Sequence, residues 1–403
     1  MFGFAANKKA LIPKENEVGE FLSRGVAEVV DRNEFRKLLL GGKPLRIKLG
    51  IDPTSPNIHL GRAAVLWKLK KLQDWGHKIV LIVGDFTGVI GDSSDKESER
   101  PMLSKEEVEQ NMKNYFSQMG KIINLASAEQ YHNSKWLSRI TYAELGAQAD
   151  RFSLSDFIAR ENIKRRLDKG TRVSLRELLY PLMQGYDSVA VKADIEFGGT
   201  DQRFNLLSGR TLQTYYKQKP QQLMTLELLP GLDGRKMSSS WGNTININDS
   251  AENMYGKTMR LPDSLVKIYF KLATNLPMDE IESAMASLRE NKIHPKEVKM
   301  KLARTITAMY YGQKVAIETE QNFVKKFTEG VEAENIPTEK LIGSELLVDV
   351  FLRAKVIESK SEFARLVSSG SIEILGGPKI VNGKAPALRK TYRIGKHRFL
   401  KII

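Results

Sequence analysis

The stretch Gly50-Ile51-Asp52-Pro53-Thr54-Ser55-Pro56-Asn57-Ile58-His59-Leu60-Gly61-Arg62 decides the fold. Immediately before it, Leu45-Arg46-Ile47-Lys48-Leu49 alternates like a strand. After it, Val65, Leu66, Leu69 and Leu72 recur at helical spacing until Gly76 ends the run. Ile79-Val80-Leu81-Ile82-Val83 then reads as a strand buried on both faces. A strand, loop, helix and strand in this order make one crossover unit of a parallel sheet. The loop lies at the carboxyl end of the first strand, where open α/β sheets bind ligands. Thr54 and His59 offer donors beside a helix N-terminus, which itself favours anions. Gly61 permits close approach to the backbone, and Arg62 adds a fixed positive charge. Together these residues fit a nucleotide-phosphate cradle.

Upstream, residues 1 to about 44 read as a polar lead followed by a helical segment, closed by Gly41-Gly42-Lys43-Pro44. Downstream, the loop from Gly84 to Lys96, with Arg100 beyond it, follows the second strand end. It reads either as a mobile lid carrying two cations or as a solvated loop. Residues 104–176 read as mostly helical with solvated charged faces. The helix expected near 177–190 is more informative, because Tyr180, Gln184 and Asp187 share one face among Leu178, Leu179, Leu182 and Met183. Polar groups in such a setting need partners, so this face implies a bound polar ligand or an internal network. Ala193–Phe197 reads as another strand, ending in Gly198-Gly199-Thr200-Asp201-Gln202-Arg203, where an acid could hold a ribose. Gln222–Leu229 reads as a further strand, leading into a flexible basic loop that contains Lys236-Met237-Ser238-Ser239.

From about 250 to 330 the pattern is helical and reads as a separate domain, and 331–343 reads as a linker. The tail from about 344 is a small module. In it Ser359 and Glu362 form a capping box, Gly370 closes that helix, and Asn382-Gly383 suggests a hairpin turn between short strands at 372–375 and 379–381. The whole chain has 403 residues, enough for two or three domains, and 28% charged with 41% hydrophobic residues is ordinary for a soluble protein. Its formal charge is +15, and from Arg353 to the end 12 Lys/Arg face 3 Asp/Glu. A charge concentrated in this way points to nucleic acid. Cysteine is absent, which excludes disulfides and thiolate zinc sites. No run approaches 18 apolar residues and no signal-peptide core begins the chain, so the expectation is a cytoplasmic protein with no membrane partner.

Five motifs now stand in one order: Asp52-Pro53-Thr54 with His59-Leu60-Gly61, Gly91-Asp92, Gln184-Gly185-Tyr186-Asp187, Gly199-Thr200-Asp201-Gln202, and Lys236-Met237-Ser238. In this order and spacing the chain resembles the class I aminoacyl-tRNA synthetases, specifically the bacterial tyrosyl-tRNA synthetase family, over almost its whole length. The tail is similar to S4-type RNA-binding domains. The resemblance implies an α/β fold. A Rossmann-like parallel-sheet catalytic domain would span 1–245, with a connective and subunit-contact region at about 104–200. An α-helical anticodon-recognition domain would span 246–330, a linker 331–343 and a small α+β S4-like domain 344–403.

The activity implied is a tyrosine–tRNA ligase: L-tyrosine and ATP give tyrosyl-adenylate and pyrophosphate, and the tyrosyl group passes to tRNA(Tyr). Mg2+ would arrive with ATP, no cofactor would be tightly bound, no dedicated protein metal site is expected, and the enzyme would be a homodimer. By motif, Thr54, His59, Arg62, Lys96, Arg100, Lys236, Ser239 and Gln202 would carry catalysis. ATP would be held by Gly50, Asp52, His59, Gly61, Gly199, Asp201, Lys236 and Met237. Tyrosine would be held by Lys48, Asp52, Asp92, Tyr180, Gln184, Asp187 and Gln202, with Asp187 on the phenol hydroxyl. RNA would meet Lys355, Lys360, Arg365, Arg389 and Lys390.

Two positions depart from the family pattern. Arg62 stands where the first signature has a second His, and Ser239 where the second has a second Lys. They suggest an exchange, a cation lost from the mobile loop and one gained on the rigid cradle. Lys48 stands where some members of the family place a Tyr against the phenol. The competing reading is a catalytically weakened, synthetase-like RNA-binding protein with a splicing or regulatory role. A tryptophanyl enzyme fits less well, because an indole does not ask for Asp187 with Gln184.

Overall fold

A computed structural model describes residues 10–92, 102–328, 337–375, 377–395 and 398–403. The chain divides into two compact units, Met1–Ala316 and Ile317–Ile403.

The first unit is built on a six-stranded sheet. Its strands are β1 (Val26–Val29), β2 (Arg46–Ile51), β3 (Lys78–Val83), β4 (Glu129–His132), β5 (Ile195–Gly199) and β6 (Gln222–Leu226). Their order is β1-β6-β5-β2-β3-β4, with β2 to β6 parallel and only β1 antiparallel at the edge. Helices Leu60–Asp74 and Arg203–Tyr215 make the β2–β3 and β5–β6 crossovers, and Leu175–Val191 leads into β5. Strand order runs outward from β2 through β3 to β4, then returns to the other side of β2. The switch point, where ligands bind in such sheets, therefore lies between β2 and β5. The β2–β3 ladder pairs six residues of each strand, whereas β2 and β5 pair only at Ile47–Ile195 and Lys48–Glu196. Beyond that point the two strands part towards their carboxyl ends.

Burial explains the local choices. Ile79 to Val83 are all fully buried, as a central parallel strand requires. Leu66, Leu69 and Leu72 of the crossover helix are fully buried against the sheet. The helices Ala251–Met259, Val266–Ala273, Met278–Arg289 and Pro295–Tyr311 place Met254, Phe270, Ile281, Leu302 and Ile306 in the same hydrophobic core. The helices expected to stand apart from about 250 thus share the core of the sheet. Arg24 secures that junction, donating to the carbonyls of Phe270, Lys271, Thr274 and Leu276.

Two strands interrupt segments that sequence periodicity reads as helical. β1 lies within the first 44 residues, and β4 lies within 104–176. Glu129-Gln130-Tyr131-His132 has no apolar alternation; it is a strand because β3 pairs with it and Arg46 clasps Glu129 at 2.7 Å. The second unit carries its own sheet of β7 (Thr338–Glu339), β8 (Ile372–Ile374), β9 (Thr391–Ile394) and β10 (Arg398–Ile402), in the order β7-β10-β9-β8. Val350, Phe351, Phe363, Ile372, Tyr392 and Leu400 form its core. β7 falls in the stretch expected to be a linker, yet it pairs with β10. Asn382-Gly383 is a turn, but not the turn of a two-stranded hairpin: β8 pairs with β9, and 379 only bridges to Glu373. Ser359 caps its helix as expected, its hydroxyl accepting from the Glu362 N–H, but the capping box is only half formed: the Glu362 carboxylate accepts from the Glu358 N–H at 2.7 Å in place of the Ser359 N–H.

The helix Leu175–Val191, which carries Tyr180, Gln184 and Asp187, is pinned at its start by a buried pair. Arg166 meets Glu177 at 2.5 and 3.0 Å, and both are 1% exposed. Removing one partner leaves a buried charge uncompensated. Arg166→Ala is therefore expected to cost about 3–5 kcal/mol in urea unfolding, and Arg166→Met/Glu177→Leu much less.

Candidate active site

A cavity of about 530 Å³ opens where β2 and β5 part, at the carboxyl ends of the strands. One wall is the loop after β2. His59 is the N-cap of the Leu60–Asp74 helix, and its Nδ1 accepts from the Arg62 N–H. Burial first, then the charges of Arg62 and Lys236, hold its pKa down to about 3, so the ring is neutral. With Nδ1 accepting, Nε2 carries the proton and is a donor. A Cβ at Gly61 would sit 3.1 Å from His59 Nδ1, so a side chain here would press on the ring. Arg62 donates to the Tyr115 hydroxyl at 2.9 Å and to Thr54 Oγ1 at 3.2 Å, and Tyr115 donates on to the Ser55 carbonyl at 2.7 Å. The guanidinium is thus fixed on the rigid wall, and Gly50 and Thr54 line the cavity beside it.

Opposite stand the turn after β5 and the loop after β6. Gly199 lines the cavity, and a Cβ on it would lie 2.5 Å from Asp201 Oδ1. Asp201 pairs with Lys236 at 2.8 Å. Met237 is buried, and Ser239 accepts a hydrogen bond from Ser55 at 3.1 Å, joining the loop to the wall. Lys96 and Arg100 lie outside the described residues.

The third wall reaches into the protein. Asp52 accepts from Thr87 Oγ1 at 2.7 Å and from the Tyr180 hydroxyl at 2.8 Å. Burial, with Asp52 and Asp92 nearby, pushes the Tyr180 hydroxyl well above its ordinary range, so it remains a donor. Asp92 accepts from Gln202 Nε2 at 2.6 Å, and Gln184 lines the cavity on the Tyr180 face. Deepest is Asp187, which accepts from Trp136 Nε1 at 2.7 Å and Asn133 Nδ2 at 3.2 Å. Burial raises its pKa to about 7, against the opposing influence of Lys48, Trp136 and Asn133. Among the described residues, no three His, Cys, Asp or Glu side chains converge as a metal cluster.

Lys48 does not line this cavity. It is fully buried behind it, paired with Glu196 at 2.8 Å, because its strand position points into the sheet's packed side. Sequence reasoning missed Thr87, Asn133, Trp136 and Glu196. Asn133 and Trp136 follow β4, whose polar sequence hid it. Glu196 carried a legible signal, an acid in an apolar strand expected beside Lys48. In the second unit Lys355, Lys360, Arg365, Arg389 and Lys390 are all exposed.

Asp187 sets a pH dependence. Its folded pKa near 7 exceeds the ordinary 3.8, so its contribution to stability is full below about pH 4 and is lost as pH rises through 7. The stability of Asp187→Asn minus that of the parent should therefore rise between pH 4 and 7, by up to about 1.4 kcal/mol per pH unit. Urea unfolding at a series of pH values measures that slope independently of any constant offset.

Residues 41–328 match the family described as class I tRNA synthetases (W and Y). The tyrosine–tRNA ligase of Carboxydothermus hydrogenoformans is 42% identical over 399 residues, covering 95% of this chain and 97% of its own length. That of Thermotoga maritima is 40% identical over 387 residues, covering 95% and 96%. The fold is that of the Aspergillus nidulans mitochondrial tyrosyl-tRNA synthetase (TM-score 0.65, 22% identity, 77% of this chain and 94% of that one). It is also that of the Archaeoglobus fulgidus tyrosyl-tRNA synthetase solved with L-tyrosine (TM-score 0.60, 22% identity, 76% and 99%). The chain belongs to the class I tRNA synthetases, in the family of the bacterial tyrosine–tRNA ligases.

Proposed function

We propose that this chain is a tyrosine–tRNA ligase whose amino-acid pocket ends on Asp187 and opens onto the His59–Arg62 phosphate wall. The observation that carries this reading is the continuity of the two: one cavity at the switch point runs from a buried carboxylate to a cluster of cations and donors. Asp187 takes the phenol hydroxyl, and a substrate lacking that hydroxyl leaves a buried acceptor short of a partner. Asp92, Tyr180 and Gln184 receive the α-ammonium, with Asp52 behind Tyr180. Asp201 and Gly199 take the ATP ribose, and Gln202 steadies the carboxylate as it approaches the α-phosphorus.

The carboxylate oxygen attacks that phosphorus and pyrophosphate leaves, so negative charge grows on the departing oxygens. Thr54, His59 Nε2–H and Arg62 meet that charge with donors already in place, and Lys236 reaches it from its loop by leaving Asp201. No general base is needed, since the attacking carboxylate is already ionised. In the second step a ribose hydroxyl at the tRNA end attacks the tyrosyl carbonyl and AMP leaves. Mg2+ reaches the site on the phosphates of ATP; the surrounding donors suit phosphate oxygens rather than a cation.

Ser239 cannot supply the charge a lysine would, and its bond with Ser55 beside Arg62 supports an exchange of roles. The tRNA(Tyr) contact falls to the exposed basic residues of the second unit, and residues 246–330 are the anticodon-recognition segment. Exposed Tyr142, Leu154 and Leu175 support a homodimer through the 104–200 region. No described helix is long and apolar enough to cross a membrane, and the cytoplasm is the proposed location.

Tyrosine-dependent ATP–pyrophosphate exchange tests the reading: exchange with tyrosine and none with phenylalanine or tryptophan is expected. Exchange with tryptophan alone would move the protein to the other branch of its family. Arg62→Ala should slow exchange about 100-fold with tyrosine affinity retained, and Arg62→His/Ser239→Lys should recover most of it. An unchanged rate in Arg62→Ala would sink the exchange of roles. Deleting residues 337–403 should spare exchange but weaken tRNA charging and flatten the salt dependence of RNA binding.

A further inference from the structure

The ladder between β2 and β5 ends on a buried pair, Lys48 and Glu196, that no step above uses. Lys48 Nζ also donates to Ser188 Oγ at 2.8 Å and to the main-chain carbonyl of Gln184 at 2.9 Å. The Glu196 carboxylate accepts from the Ser188 hydroxyl at 2.9 Å, from the Gln221 amide, and from Gln184 Nε2 at 3.3 Å. Lys48 is 0% and Glu196 1% exposed. Two apolar side chains could fill this space without desolvating a charge, so the pair adds something other than stability.

What it adds is direction. A carboxylate only accepts, so the Gln184 amide must turn its NH2 group towards Glu196. Its oxygen, on the other branch of the amide, is then left for the cavity that Gln184 lines. An ammonium only donates, and an amide turned the other way would meet it with N–H groups. We propose that Glu196 is a positioning residue: it fixes the Gln184 amide with nitrogen inward, making Gln184 an acceptor for the substrate's α-ammonium. Lys48 is the counter-ion of Glu196 and holds the main chain of Gln184 in place. This rests on the reading that the ammonium lies against Asp92, Tyr180 and Gln184.

The test compares tyrosine with 3-(4-hydroxyphenyl)propanoate, which has the same phenol and carboxylate but no ammonium. Lys48 and Gln184 both meet Oε1 of Glu196, whereas Ser188 and Gln221 both donate to Oε2. In Lys48→Met/Glu196→Gln the new amide oxygen therefore stays with Ser188 and Gln221, its NH2 faces Gln184, and Gln184 must turn its own oxygen inward. In this variant the KM for tyrosine in pyrophosphate exchange should rise roughly 10- to 100-fold. The kcat should stay within about threefold, as expected for loss of ground-state binding. The Kd of the propanoate should not move. Glu196→Gln alone keeps an oxygen before Lys48 and Gln184 and should retain the selectivity. Adding Gln184→Glu to the double variant should restore it, because a carboxylate at 184 accepts in either orientation. A merely structural role would weaken both ligands together and would not be restored. Equal losses for the two ligands, or unchanged selectivity in Lys48→Met/Glu196→Gln, overturn the proposal. Gln184→Ala separates the causes. If it also leaves the ratio untouched, the ammonium lies elsewhere and the pocket reading fails with the proposal. If it collapses the ratio while Lys48→Met/Glu196→Gln does not, only the role of Glu196 fails.

Discussion

Everything in the catalytic unit depends on where β2 and β5 stop being neighbours. Their ladder holds for two residue pairs and ends at Lys48–Glu196. Above that point the carboxyl ends diverge, and each backbone must find other partners or meet a ligand. The loop after β2 turns into a helix capped by His59, and the turn after β5 becomes Gly199-Thr200-Asp201-Gln202. A parallel sheet whose strand order reverses has this opening by topology, and the residues only decide what fills it.

How much of this could be read from the chain alone follows from the kind of signal each part carries. The β2–helix–β3 unit was legible because an alternating strand, a run at helical spacing and a continuous apolar strand follow one another, with Gly76 between the last two. Tyr180, Gln184 and Asp187 were legible because a polar row on an apolar helix demands partners. β4 was not, because Glu129-Gln130-Tyr131-His132 is a strand by pairing and not by pattern. With β4 went Asn133 and Trp136, which hold Asp187 from a separate element. Lys48 shows the other kind of failure. Its position in the chain suggested the pocket, whereas the partner across the ladder, Glu196, turns it into the packed interior.

The two departures from the family pattern are joined in space. Arg62 is held by Thr54 and by Tyr115, Tyr115 by the Ser55 carbonyl, and Ser55 donates to Ser239. A cation on a rigid wall is preorganised, while one on a loop must be brought into place, so moving charge from loop to wall trades mobility for fixed geometry. Five side chains and one main-chain carbonyl form this connected set. Substitutions within it will therefore not add independently.

The second unit closes on itself in a way that bears on how the protein is made. Its first strand, Thr338–Glu339, pairs with Lys401–Ile402, far downstream in the chain. That sheet cannot be completed until residue 402 has left the ribosome. The first unit is complete by Ala316, so its core can form while the second unit is still being translated. The two units therefore fold in stages separated by time, the second after the first.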